Sequence, residues 1–157
     1  MSSPASDLSA RVTFAPVTAA DFDELVELRI AAMRESLERV GRFDPARARE
    51  RLRASFYPEH TQFIVLDGEH VGFSTFRPQP DHFRLDHLYV HPRCQSLGIG
   101  SHVLRHLLAL SDARGLPVQL GALRESASNR FYQRHGFVQS SEDAWDIYYV
   151  RAPRAPA

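Results

Sequence analysis

The sequence predicts an α/β fold of the mixed α+β kind, with a mixed central sheet of about seven strands flanked by about four helices. Strand-like and helix-like patterns alternate along the chain, with neither an internal repeat nor a long linker. A length of 157 residues, 43% of them hydrophobic, suits one buried core. We therefore predict a single domain over residues 11–151, with a disordered N-terminus at 1–10 and a disordered tail at 152–157, because neither end is periodic.

The first predicted elements are a strand and two helices. Residues 11–17 read as a strand. Thr18 and Asp21 have the spacing of a capping box, so a helix is predicted to begin there and to end near residue 41. Asp44, which precedes a proline, is predicted to cap a second helix of about three turns.

Three strands are predicted next. Residues 62–66 and 71–76 are joined by Asp67-Gly68, a dipeptide typical of a tight hairpin turn. Residues 83–90 form the third strand, which Pro92 limits because proline cannot donate to a sheet ladder.

The last part of the chain predicts two helices and three strands. A helix over 98–114 ends at a glycine, and a short apolar strand follows at 117–122. A second helix over 126–135 also ends at a glycine. Two final strands are predicted at 137–140 and 145–151, where they would form a hairpin.

Charge and cysteine content exclude several classes of protein. Nineteen basic residues, all of them arginine, balance nineteen acidic residues, and no basic stretch is interleaved with aromatics, which argues against a nucleic-acid partner. Cys94 is the only cysteine, which excludes an internal disulfide and agrees with a reducing compartment. No signal-peptide pattern and no apolar run of membrane-spanning length is present, so we expect a cytoplasmic protein without a membrane partner.

A glycine-containing loop lies between the strand at 83–90 and the helix that follows. It reads Gln95-Ser96-Leu97-Gly98-Ile99-Gly100. Glycines allow a phosphate to approach the backbone, whose N–H groups over residues 97–101 can bind it together with the Ser101 hydroxyl. Taken alone, the glycine pattern is better explained by a plain tight turn before a helix. The nucleotide-binding patterns of ATP and NAD sites are not matched.

Two motifs together resemble the GNAT superfamily of N-acyltransferases. Residues 95–100 match the family's loop Gln/Arg-x-x-Gly-x-Gly/Ala, and Phe131-Tyr132-Gln133-Arg134-His135-Gly136-Phe137 matches its second motif, Phe-Tyr-x-x-x-Gly-Phe. The order of elements over residues 12–150 is also similar. The resemblance therefore covers nearly the whole chain and implies a GNAT-like acyltransferase fold with acetyl-CoA as cosubstrate.

The resemblance implies a set of cofactor-binding residues. Pantetheine is expected to pair with the strand end like an added strand, the diphosphate to lie on the loop, and Asn129 to contact the pantetheine or sulfur end. A solvated helix residue is an equal interpretation of Asn129. The first turn of that helix departs from the family in Glu125 and Ser128, where Asn and Ala are frequent. The cofactor-binding candidates are Leu88, Tyr89, Val90, Gln95, Ser96, Leu97, Gly98, Ile99, Gly100, Ser101 and Asn129.

Three residues are catalytic candidates. The resemblance implies that Tyr132 protonates or hydrogen-bonds the leaving thiolate, which a phenol of pKa about 10 can do. The acceptor amine must lose a proton before it attacks, and Asp86 or His87 could accept it directly or through water. For each residue alone, structural polar pairing is slightly favoured over a role as base. A desolvated pocket with no dedicated base is a further alternative.

The acceptor side is less specified. In the family, the first two helices and the final hairpin wall this pocket, so the substrate-binding candidates are Arg29, Glu35, Trp145 and Tyr148. Arg29 could bind a substrate carboxylate or simply extend its charged end to solvent. His102 and His106 are one helical turn apart without a third ligand, so no metal is expected. Exposed final strands allow a homodimer.

The function that follows is that of an N-acetyltransferase. It would move an acetyl group from acetyl-CoA to a primary amine of a small molecule or peptide by direct attack, without acylation of Cys94. The alternative is a non-catalytic coenzyme A binding or sensing module of the same fold.

Overall fold

The computed structural model describes the backbone of residues 4–155 and the side chains from Leu8 to Ala155. Predictions for residues 1–3 and 156–157 lie outside the described residues. The described part contains five α-helices: α1 (Pro4–Arg11), α2 (Phe22–Arg39), α3 (Pro45–Ala54), α4 (Ile99–Ala113) and α5 (Ser128–Arg134). Its seven strands are β1 (Val12–Pro16), β2 (Thr61–Leu66), β3 (Glu69–Pro78), β4 (Phe83–Val90), β5 (Val118–Leu123), β6 (Val138–Glu142) and β7 (Asp146–Arg151).

All seven strands form one mixed sheet in the order β1-β2-β3-β4-β5-β7-β6. Neighbouring strands are antiparallel except β4 and β5, which are parallel and joined through α4. The β2–β3 turn has positive φ at Asp67 (50°) and Gly68 (86°), as a two-residue hairpin of the predicted kind requires. The predicted sheet of about seven strands is therefore confirmed.

Two apolar cores cover the two faces of the sheet. One lies under α1, α4 and α5 and includes Ile64, Leu104 and Tyr149. The other lies under α2 and α3 and includes Leu25 and Phe73. Because side chains alternate along a strand, β1 to β4 supply both cores, whereas β5 and β7 supply only the first.

The N-terminus differs from the prediction. Residues 4–11 form α1, and Leu8 is buried in the core beneath α4, where the sequence predicts disorder over 1–10. A single apolar anchor in a polar, alanine-rich segment gives too weak a periodicity to predict a helix. Residues 152–155 have no regular secondary structure, and the backbone N–H of Arg154 donates to Asp112 at 3.0 Å.

The edge strands of the sheet are β1 and β6, and all five residues of β6 are exposed. A homodimer that pairs this edge stays a prediction. No helix within residues 4–155 combines the length and the hydrophobicity needed to cross a membrane.

Candidate active site

A cleft opens where β4 and β5 separate. The two strands pair at only two positions, Phe83 with Val118 and Arg84 with Gln119. Beyond them β4 continues along β3, and β5 continues along β7. The β4 edge from Leu85 onward therefore faces no neighbouring strand on that side, which leaves its backbone groups available to an extended ligand.

The cleft consists of a narrow chamber and a wider mouth. The chamber, of about 140 Å³, lies between the separated strands and α2. The mouth, of about 540 Å³, extends to the glycine loop and to α5. Both volumes are lined by Leu88, Val90, Gln95, Ser128 and Tyr132, so the two spaces are continuous.

A β-bulge in β4 sets the direction of the residues that line the chamber. Thr75 pairs with His87 and Phe76 with Leu85, so Asp86 is the extra residue. As a result Leu85, Leu88 and Val90 pack on the α4 side, whereas His87 and Tyr89 pack on the α2 and α3 side. Sequence alternation alone would place Leu85 and His87 on the same face.

The Asp86 carboxylate is held by two arginines. Arg77 donates to it from Nε and Nη2, at 2.5 and 3.1 Å, and Arg84 lies 3.5 Å away. The Asp86 side chain is 9% exposed. Its lone pairs are thus largely committed to guanidinium groups.

His87 belongs to a buried hydrogen-bonded chain behind the chamber. Its Nε2 lies 2.9 Å from the Ser55 hydroxyl, and its Nδ1 lies 3.3 Å from the Tyr89 hydroxyl. Because Ser55 donates to the carbonyl of Arg51, Nε2 carries the proton and Nδ1 accepts from Tyr89. Burial, reinforced by the charge of Arg29, lowers the pKa of His87 to about 4, so the ring is neutral at physiological pH.

Tyr132 stands at the junction of chamber and mouth. Its ring packs against Phe131 and Phe137, with centroids 5.2 and 5.5 Å apart, and its hydroxyl has no hydrogen-bond partner among the described side chains and backbone. Burial, followed by the nearby Tyr89, raises the pKa of the Tyr132 phenol well above its ordinary value. The group therefore keeps its proton and is a donor within the cleft.

The predicted cofactor loop lies at the mouth of the cleft. Residues 92–97 form a 3-10 helix, and Gly98 follows with φ +80°, a left-handed conformation that favours glycine. Gln95 donates from Nε2 to the carbonyl of Val90 at 3.0 Å and so ties the loop to β4. Gln95, Gly98, Gly100 and Ser101 line the mouth, whereas Ile99 is fully buried and Leu97 is 46% exposed.

The side chain of Asn129 is fully engaged within the protein. Its Nδ2 donates to the carbonyls of Leu123 (2.9 Å) and Ser126 (3.0 Å), and its Oδ1 accepts from the Tyr149 hydroxyl at 2.8 Å. These bonds tie α5 to β5 and β7. The predicted contact of Asn129 with a cofactor stays a prediction, and it would require this arrangement to open.

The four acceptor candidates do not lie together. Glu35 lines the mouth near the loop and pairs with Arg39 at 3.0 Å. Arg29 is buried between α2 and α3. Trp145 stacks under the guanidinium of Arg42 at 3.9 Å. Tyr148 donates to Asp143 at 2.6 Å, and its ring covers Gly121, where an added Cβ would lie 3.0 Å from it.

Several cleft residues were not predicted from the sequence. The small residues Ala32 and Ser36 of α2 line both spaces, and Arg39, Arg130 and Arg134 line the mouth. The arginine spacing on α5 could have indicated an anion site, since residues four apart share a helix face. Among the described residues, no three or more His, Cys, Asp or Glu side chains are placed to hold a metal ion.

A sheet opened between two parallel strands, with a glycine loop at the start of the helix that connects them, defines the fold of GNAT N-acyltransferases. The sequence comparison agrees: residues 58–139, more than half of the chain, match the family described as acetyltransferase (GNAT) domain. The chain belongs to this family.

Solved structures with the same fold cover nearly the whole chain at low identity. PaiA N-acetyltransferase from Thermoplasma acidophilum, in complex with coenzyme A, has a TM-score of 0.73 and 16% identity, and the match covers 90% of this chain and 98% of that one. Ard1 from Thermoplasma volcanium has a TM-score of 0.66 and 19% identity over 92% and 99% of the two chains. The ribosomal-protein-S18-alanine N-acetyltransferase from Escherichia coli has a TM-score of 0.68 and 18% identity over 93% and 96%. Comparison with curated protein sequences gave no significant match.

Proposed function

We propose that this protein is an N-acetyltransferase that transfers an acetyl group from acetyl-CoA to the primary amine of a small molecule or peptide. The observation that carries the proposal is the continuous cleft, which joins the glycine loop at its mouth to a chamber bordered by the free edge of β4 and the protonated phenol of Tyr132. The names of PaiA and of the ribosomal-protein-S18-alanine enzyme support an amine as acceptor.

The mouth of the cleft fits the anionic part of coenzyme A. The N–H groups of the first turn of α4, at Ile99, Gly100 and Ser101, have no acceptor within the helix, and they lie at the positive end of its dipole. Guanidinium groups of Arg130 and Arg134 line the same space. Together they would hold the diphosphate. The backbone groups of Leu88 and the N–H of Val90, whose carbonyl already accepts from Gln95, would pair with the amides of pantetheine.

Acetyl-CoA, when bound, supplies an acyl group activated as a thioester. The residues of this chain would orient it, exclude water and hold a proton for the leaving sulfur. Tyr132 is suited to the last task because its hydroxyl keeps its proton and no other described residue accepts it. As the C–N bond forms and the C–S bond breaks, the phenol proton would pass to the sulfur, and the proton lost by the attacking nitrogen would return to the Tyr132 oxygen, which leaves a neutral amide and a free thiol. The apolar side chains of Leu85 and Leu88 limit water in the chamber.

The geometry favours an acceptor amine that enters the chamber already neutral. Asp86 is held by Arg77 and Arg84, and His87 is a weak base whose free lone pair accepts from Tyr89. A small chamber lined by the apolar Leu85 and Leu88 also disfavours an ammonium group. We therefore propose that Asp86 and His87 position the chamber walls and that desolvation, rather than a dedicated base, selects the neutral amine.

The test is release of free thiol from acetyl-CoA in the presence of a panel of primary amines and N-terminal peptides. We expect at least one amine to accelerate release above the hydrolysis background, and mass spectrometry to find the acetylated amine. A Tyr132→Phe variant should lose this activity. Tyr57→Phe is its matched control, because Tyr57 lies outside the cleft beneath Arg77. Tight coenzyme A binding without thiol release for any amine would favour the non-catalytic binding module instead.

A further inference from the structure

Four arginines surround a small pocket between α2 and α3, apart from the cleft. Its lining consists of Arg29, Leu37, Arg42, Asp44, Arg47, Ala48 and Arg51. None of these residues lines the chamber or the mouth described above. The name arginine pocket is used below for this site.

Arg29, in the arginine pocket, carries a buried charge without an acidic partner. The residue is 7% exposed. Its Nη1 donates to the carbonyl of Ala48 at 3.0 Å and its Nε to the Tyr89 hydroxyl at 3.4 Å, and no carboxylate of the described chain lies within ion-pair distance. Buried cations in proteins are normally paired with an anion, because desolvation of a lone charge is costly. The site therefore lacks its negative partner.

Arg42 shows the same deficit. Its Nη1 atom is buried and has no hydrogen-bond partner in the part of the chain that the structure describes. Its pKa is lowered by burial and then by the nearby charges of Arg47 and Arg51. Asp146 opposes this effect only in part. Like-charged groups are thus held close together around an unfilled hydrogen-bonding position.

The one acidic residue of the pocket lining does not satisfy these guanidinium groups. The Asp44 carboxylate accepts hydrogen bonds from the backbone N–H groups of Ala46 and Arg47, at 3.0 and 3.3 Å, and so caps α3. It forms no ion pair with any arginine of the pocket within the described residues. Asp146 lies near Arg42 and Arg51 but forms no ion pair with either within the described residues. The guanidinium groups of the cluster therefore outnumber the nearby carboxylates, which leaves a place for a further anion.

We propose that the arginine pocket binds an oxyanion, either a carboxylate or a phosphate group. The volume of the arginine pocket, about 10 Å³, is close to what one oxygen atom needs. A single oxygen would enter, and the rest of the group would lie at the opening of this pocket between Arg47 and Arg51. Both of these arginines are exposed, and guanidinium groups match carboxylate and phosphate geometry.

The oxyanion has two sources, a free anion or an acidic group of the amine acceptor. Arg29 joins the arginine pocket to the chamber, since it donates to Tyr89, which lines the chamber and bonds to His87. Trp145, an acceptor candidate, lies under the guanidinium of Arg42, which lines the pocket. The idea that the acceptor amine supplies the oxyanion rests on the proposed function, whereas the binding of an oxyanion in the arginine pocket does not.

Inorganic phosphate is the probe that tests the pocket. Calorimetric titration at constant ionic strength, with sodium chloride as the reference, should detect phosphate binding to the full chain. Arg51→Gln should weaken it about tenfold, as expected for the loss of one charge-assisted hydrogen bond. Arg53→Gln is the matched control, because Arg53 is on the same helix but lies over Phe22, and it should leave pocket affinity unchanged. Equal affinity in both variants, or no binding beyond that of chloride, would overturn the proposal.

A kinetic arm separates the two sources. If the acceptor carries the oxyanion, phosphate inhibits thiol release competitively with the amine, and Arg51→Gln raises the KM for that amine. If a free anion binds, phosphate alters kcat or stability without competing with the amine. Phosphate binding that depends on Arg51, in a protein that transfers no acetyl group, would refute the proposed function and leave the pocket supported.

Discussion

Replacement of Tyr132 by phenylalanine tests the proposed chemistry most directly, because the structure isolates one group. The ring of Tyr132 packs between Phe131 and Phe137, and a phenylalanine ring keeps both contacts. The hydroxyl has no protein partner among the described residues, so its removal breaks no hydrogen bond. The substitution therefore changes the cleft by a single donor.

The magnitude follows from these contacts. Stability should change by less than about 0.5 kcal/mol, since nothing is left unsatisfied in the core. A positioned general acid contributes on the order of 100-fold to 10,000-fold in rate. We therefore expect kcat to fall by about 100-fold or more, equivalent to about 2.7 kcal/mol of transition-state stabilisation. Coenzyme A affinity should be unchanged, because the contacts proposed for the diphosphate are made by the loop and by Arg130 and Arg134 and not by this hydroxyl.

The assay is thiol release measured under saturating acetyl-CoA, with coenzyme A affinity from calorimetry and unfolding from thermal denaturation. The raised pKa of Tyr132 adds a second expectation: the wild-type rate should show no loss from phenol ionisation below about pH 10, the ordinary phenol value. Wild-type kcat in Tyr132→Phe would remove this hydroxyl from the mechanism. A parallel loss of coenzyme A affinity would instead assign it to binding.

Three further predictions address the loop, the sheet and the buried histidine. Gln95→Ala, which removes the bond to the Val90 carbonyl, should weaken coenzyme A binding about fivefold to tenfold by calorimetry, and unchanged affinity would contradict the role of this bond in fixing the loop. Gly72→Ala should lower the unfolding free energy by more than about 3 kcal/mol in urea, because the new Cβ would collide with the Tyr89 carbonyl. Ala at Gly115 meets no neighbouring atom and is strained only by its φ of +67°, so an effect of Gly72→Ala no larger than that of Gly115→Ala would be the contrary result. The pKa of His87 is about 4 in the folded chain against 6.5 in the unfolded chain. The unfolding free energy should therefore be highest above pH 6.5 and should fall by roughly 3 kcal/mol between pH 6.5 and pH 4, because the unfolded state binds the proton first. His87→Gln should flatten this pH dependence of the unfolding free energy.

The fold could be predicted from the sequence wherever local chemistry agrees with tertiary structure. The Asp67-Gly68 turn and the proline-preceded cap at Asp44 form as expected, because each needs only its neighbours. The α5 helix is shorter than predicted, beginning at Ser128 rather than 126, after Glu125 adopts a positive φ of 70°. The helix α1 depends on the burial of Leu8 against α4, a contact that no local pattern reveals.

The site divides in the same way. Tyr132 and the glycine loop, which the two motifs identify, lie in the same cleft, because both are carried by helices that adjoin the opened sheet. The hydrogen-bond partners of the site residues could not be predicted from the sequence, because they come from other elements of the fold. Asn129 is bonded to Tyr149, and Asp86 to Arg77. The separate position of Arg29 could not be predicted either, because it depends on how α2 and α3 pack.

The bulge at Asp86 explains why the two sides of the cleft differ in chemistry. An unbroken strand would direct His87 and Tyr89 to the same face as Leu85, beneath α4. The extra residue instead leaves Leu88 and Val90 on that face, beside the expected path of the cofactor, and turns His87 and Tyr89 toward α2 and α3. Tyr89 thereby reaches Arg29, so one inserted residue in β4 connects the reaction chamber to the arginine pocket. The side of the cleft proposed to receive the acceptor is therefore set by backbone register as much as by side-chain identity.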